Sequence, residues 1–182
     1  MRNLRIYVGV IALGVFFFSF TELKKNRIKW NAGKTVNWND YEGIPDYADN
    51  FRDAVTASAL NYNVRCHTDG NLTVSVSAEF LKDQSWVKER ARTDYHLGHE
   101  RLHFDITELF ARKMRKTFEG QQFRCEDEAV VHQLATQLLA EWREAQVQYD
   151  KETLYSLDKH DQKLWHQKVA NDMIEHDHYA SE

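Results

Sequence analysis

Hydrophobic and polar positions follow three different spacings along the chain. Residues 6–20 are almost wholly apolar and follow Arg2 and Arg5. A basic start before an apolar run is the pattern of a secretory signal. The run is shorter than the roughly 17–25 residues of a bilayer span. No Ala-x-Ala cleavage site follows it, so an uncleaved anchor is the alternative. Residues 1–22 are therefore read as a signal peptide or N-terminal membrane anchor, and 23–182 as a single domain. Ile28, Trp30, Val36 and Trp38 are separated by polar residues, which predicts one or two short strands. Residues 40–50, with Gly43 and Pro45, read as a loop, and 54–59 fit neither period. Residues 60–64 alternate, 67–71 form a turn, and Leu72, Val74, Val76 and Phe80 resume the alternation, as in a hairpin or small antiparallel sheet.

After Asp83 the period lengthens. Ser85 is placed to cap a first helical turn containing Trp86 and Val87. Leu102, Ile106, Phe110 and Met114 recur every four residues, predicting a long amphipathic helix over about 89–117. A second helix is expected over 125–149, with Leu134, Leu138, Leu139 and Trp142 on its apolar side. A short third helix is expected over 161–174, followed by a polar, frayed end.

At 182 residues and a net charge of −4, the chain has no basic stripe of the kind that marks a nucleic-acid binder. It has two cysteines, Cys66 and Cys125. In an exported domain, where disulfides persist, a bridge between them is the favoured state.

The chemistry lies in His99-Glu100-Arg101-Leu102-His103, an HExxH motif. Positions i and i+4 of a helix share a face, so both imidazoles can reach one zinc ion. Glu100 is then placed to activate a metal-bound water. The pair lies on the stripe that continues into Ile106 and Phe110, so it faces the body of the domain. A catalytic zinc usually takes three protein ligands. Candidates for the third are Tyr155, Asp150, His132 and Glu128, and spacing alone does not choose among them. Glu108 has suitable chemistry but lies off the histidine stripe. Asp105 is expected to orient a ligand histidine or join a local network. The late His160, His166, His176 and His178 are read mostly as surface residues.

The chain resembles a family of secreted bacterial proteins described as zinc-dependent proteases and first catalogued as a domain of unknown function. The resemblance begins at Val36-Asn37-Trp38-Asn39-Asp40-Tyr41 and at Ser85-Trp86-Val87. It is strongest from His99 through Asp105-Ile106 to Arg112-Lys113, and continues in Tyr149-Asp150-Lys151-Glu152-Thr153, Gln162 and Trp165. It implies His99 and His103 as metal ligands and Glu100 as the catalytic carboxylate. It gives Asp105 and Arg112 no settled role. In that family the Tyr-Asp-x-x-Thr segment is followed by a His-Gly pair. Here Tyr155 stands where that histidine would be, either as a ligand or as a stabiliser of an oxyanion.

The expected fold is α+β and zincin-like: a small antiparallel sheet in the first half, then the long motif helix packed on a second long helix. The expected function is zinc-dependent hydrolysis of peptide bonds by a periplasmic or secreted peptidase, with Glu100 and Tyr155 catalytic. Its partner would be a peptide or protein substrate, and residues 6–20 could attach it to a membrane. The alternative is a non-catalytic envelope module, zinc-binding or metal-free, that uses aromatic residues such as Trp30, Trp38 and Trp86 to bind a protein partner.

Overall fold

The computed structural model describes residues 26–181, so the expected signal or anchor segment lies outside the described residues. Within them the chain forms β1 (Arg27–Lys29), β2 (Ala54–Val55), β3 (Ser58–Cys66), β4 (Leu72–Leu81) and β5 (Trp86–Val87). Three helices follow: α1 (Asp94–Phe118), α2 (Glu128–Glu152) and α3 (Lys159–Glu175). The fold is α+β. An antiparallel sheet of order β1-β4-β3 lies beside a separate β2–β5 pair, and α1 packs on the sheet, α2 and α3.

The hairpin forms where period two predicts it. Leu60 opposes Ala78, Tyr62 opposes Val76 and Val64 opposes Val74. The apolar sides of these pairs belong to the core shared with Leu102, Ile106, Phe110 and Met114 of α1. The turn needs Gly70, whose φ is +80°. A Cβ there would lie 2.6 Å from an Arg124 guanidinium nitrogen. Arg124 donates to Asn71 Oδ1 at 2.6 Å and to the Asp69 carbonyl at 3.1 Å. Cys66 and Cys125 are joined in a disulfide beside it, which ties the hairpin to the start of α2.

Thr93 caps α1 by accepting from the His96 amide. Sheet and helices pack around α1, so several of its polar residues are buried too. Glu108 is fully buried and takes charge-assisted bonds from Arg112 Nε (3.2 Å) and Arg115 Nη1 (2.9 Å). Arg112 also donates to the Met173 carbonyl (2.8 Å), and Arg115 to the Tyr179 carbonyl (2.7 Å). The segment from Met173 to Tyr179 is thus fastened, contrary to the expectation that it frays. Both guanidiniums are drawn to the buried Glu108, and their remaining N–H groups find acceptors in that segment and in the Val76 carbonyl of β4.

Other expectations also change. Trp86 and Val87 form β5 against β2 rather than a helical turn. Ser85 caps no helix; its Oγ accepts from the Ala57 amide and donates to the Leu81 carbonyl, pinning the two sheets together. In the 27–38 region β1 is a strand, whereas Trp38 begins a 3-10 turn capped by Asn37. Trp30 and Trp38 are partly buried and pack against the core. No described helix is long and apolar enough to cross a membrane.

Candidate functional site

The motif occupies the second and third turns of α1. Its imidazoles lie with ring centroids 4.9 Å apart. Between them and α3 sits Tyr149 of α2, fully buried. Tyr149 stacks on His99 at 4.5 Å, meets His103 edge-on at 4.8 Å, and donates its hydroxyl to the His99 carbonyl at 3.3 Å. Trp165 of α3 backs it at 5.3 Å. Asp150, the next residue, faces both histidines. Its Oδ1 lies 3.2 Å from His99 Nε2 and 3.0 Å from His103 Nε2. One ligand atom from each of His99, His103 and Asp150 lies within 4.8 Å of the other two, a spacing that one cation could bridge.

Electrostatics agree with a shared site. Burial alone would raise the Asp150 carboxyl, but hydrogen bonds and charge from His103 and His99 hold it well below the usual carboxylate range. Burial alone would lower His103, but the bond to Asp150 and its charge outweigh this and raise it. Burial, with the Glu100 and Asp150 charges, pushes the Tyr149 phenol far up, so it is a neutral wedge.

Two orphaned atoms test the fit to a metal. Glu100 is buried, and its Oε2 has no hydrogen-bond partner among the described residues. The same holds for His99 Nδ1. A buried carboxylate oxygen without a partner costs free energy that a protein seldom tolerates away from function. Two imidazole nitrogens and one carboxylate oxygen form a donor set that suits zinc. The residues present therefore fit such an ion.

His99, Glu100, His103 and Asp150 line an open cavity of about 540 Å³. One wall is the extended segment 51–58, and the other is the α2 face from Trp142 to Val147 with the turn 155–157. The first wall is pinned to the motif: Tyr41 hydrogen-bonds Thr56 Oγ1 at 2.7 Å, and Thr56 donates to the Glu100 carbonyl at 3.0 Å. Tyr155 lines the same cavity, half-exposed. Its backbone amide donates to the Asp150 carbonyl at 2.8 Å.

Of the four candidates for the third donor, the fold brings Asp150 against both histidines and puts Tyr155 on the cavity wall. His132 and Glu128 pair with each other at 3.3 Å near the start of α2. Eighteen helical residues, about 27 Å, separate His132 from Asp150. Asp105 touches neither histidine and accepts from Trp30 Nε1 at 2.8 Å. Glu108 and Arg112 belong to the buried ion network. His160 is exposed and His178 pairs with Glu119, whereas His176 is buried and bonds the Asp172 carbonyl. His166 is half-buried, and burial together with the His99 charge lowers it.

Sequence reasoning missed Gln146. Its Oε1 lies 2.6 Å from His103 Nδ1, and its Nε2 donates to the His103 carbonyl at 2.9 Å and Thr107 Oγ1 at 3.0 Å. A neutral amide carries no signature of its own. Its only signal is the spacing of four residues from Asp150, which puts both on one face of α2.

Neither the curated proteins nor the solved structures contain a match to this chain. A family model does match, over residues 48–160, which takes in the cleft wall at 51–58, the motif, α2 and the turn that carries Tyr155. The chain belongs to the family described as bacterial protein of unknown function (DUF922).

Proposed function

We propose that this protein is an exported zinc-dependent peptidase. The observation that carries the reading is the meeting of His99 Nε2, His103 Nε2 and Asp150 Oδ1 on the floor of an open cleft, beside the unpartnered Glu100 carboxylate. His99, His103 and Asp150 would hold the ion. Bound there, zinc supplies a Lewis acid that makes water acidic near neutral pH and polarises a carbonyl. Glu100 takes the proton of the attacking water and returns it to the leaving amine. Tyr155 donates its phenol hydrogen to the carbonyl oxygen on which charge develops. The walls position an extended peptide. The disulfide supports an oxidising compartment, periplasmic or extracellular.

A second reading, a zinc-holding envelope module without catalysis, is favoured by one feature: Tyr155 stands where a histidine is expected. Metal analysis and peptide hydrolysis on the same preparations separate the two. Wild type should carry near-stoichiometric zinc, and His99→Ala should lose it. Glu100→Gln should keep the zinc and lose hydrolysis by about 10²-fold or more. Undiminished hydrolysis in Glu100→Gln overturns the mechanism. Zinc without hydrolysis of any peptide in wild type establishes the module.

A further inference from the structure

We infer that Gln146 is a positioning residue that holds His103 with its proton on Nδ1 and so leaves Nε2 to face the cation. The inference rests on the metal reading above and assigns a role to a residue outside the motif.

A carboxamide has one donating end and one accepting end. The end of Gln146 that faces the His103 carbonyl, at 2.9 Å, must be the donor, because a carbonyl oxygen only accepts. The same NH₂ reaches Thr107 Oγ1 at 3.0 Å. The other end is therefore Oε1, and it lies 2.6 Å from His103 Nδ1. An oxygen acceptor at that distance requires an N–H on Nδ1. Turning the amide over would set two oxygens 2.9 Å apart and forfeit both donated bonds. Gln146 thus reads the backbone of the residue whose ring it sets.

The clamp is itself anchored. Thr107 is fully buried, and its hydroxyl bonds the His103 carbonyl at 3.0 Å. It accepts from Trp142 Nε1 at 3.1 Å and meets Ser58 Oγ at 2.7 Å, so β3, α1 and α2 all hold it in place. His99 has no such device among the described residues. Its Nδ1 is orphaned, and stacking on Tyr149 orients the ring. The two imidazoles are held by different means, and Gln146 governs His103 alone. Partners that orient a metal-binding histidine typically change metal affinity 10–100-fold when removed.

The test uses the whole protein, with zinc affinity measured by competition against a chromogenic chelator. Gln146→Leu should bind zinc about 10–100-fold more weakly. Gln146→Glu keeps an acceptor for Nδ1–H but gives up the bond donated to the His103 carbonyl, so its zinc affinity should fall between those of Gln146→Leu and wild type. Ring ¹⁵N spectra of histidine-labelled wild type should show a proton on His103 Nδ1, with and without zinc. Wild-type zinc affinity in folded Gln146→Leu, or a bare Nδ1 on His103 in wild type, overturns the inference. If Gln146→Leu does not fold, the wild-type spectrum still decides. Absence of zinc binding in wild type defeats the metal reading instead, and the ring spectrum then reports on Gln146 independently.

Discussion

Leu154, Tyr155 and Ser156 have φ of 50°, 54° and 74°, three consecutive left-handed residues with no glycine among them. Each costs roughly 1–2 kcal/mol relative to ordinary backbone. Such strain persists where the surroundings over-determine it, often at functional sites. Here the Tyr155 amide bonds the Asp150 carbonyl and Tyr95 Oη donates to the Ser156 carbonyl, both at 2.8 Å. The turn therefore couples the candidate third ligand to the phenol on the wall. Two outcomes follow at this scale. Ser156→Gly should relieve strain at a buried position and, after glycine's own entropic cost, stabilise by about 0.5–1 kcal/mol, read as a higher urea midpoint. Tyr155→Phe should keep zinc and lower kcat by about 10²-fold, because only the transition state would use the phenol hydrogen.

On α2, Arg143, Gln146, Val147 and Asp150 follow the spacing i, i+3, i+4, i+7 and form one row beside the cleft. Val147 is 67% exposed, so it contributes little to the core and stands free on the cleft wall. Val147→Asp should change stability by no more than about 0.5 kcal/mol. It should raise KM about tenfold for peptides with a bulky apolar residue near the scissile bond, and leave kcat nearly unchanged. A matching loss of kcat would place Val147 in the chemistry instead of the binding. The row also marks what the sequence makes legible. Period four revealed α1, and period two revealed the β3–β4 hairpin, because each buries one face over many residues. β2 and β5 are two residues each, too short to carry a period, and are fixed by the Ser85 hydroxyl and by pairing with each other. His99, Glu100 and His103 were legible because local geometry alone puts them together. Asp150 was one candidate among four, since the docking of α2 on α1 through Tyr149 decides which carboxylate arrives, and that docking has no local signature. The fastened C-terminal segment was illegible for the same reason: its polar residues look solvated until the buried Glu108 and its two arginines are in place.

The whole molecule is held at its two ends by different devices. At one end α1, α2 and the turn after α2 converge on the cleft. At the other, the Cys66–Cys125 bridge closes a sequence separation of 59 residues that contains all of β4, β5 and α1. In the chain-entropy account, a loop of that size restrains the unfolded state by about 4 kcal/mol. From Cys125 to Asp150 the chain runs along nearly all of α2, about 37 Å of helix. The bridge therefore acts on the stability of the fold without touching the site. Reduction should lower the unfolding free energy by up to about 4 kcal/mol, measured by urea titration with and without reductant. In mild conditions, where the reduced protein is still folded, its zinc affinity should stay within about twofold of the oxidised protein, since distant, unshared sites add independently. A parallel fall in zinc affinity would mean that the hairpin end and the cleft are coupled through α2. In that case the disulfide would tune the centre as well as stabilise the fold.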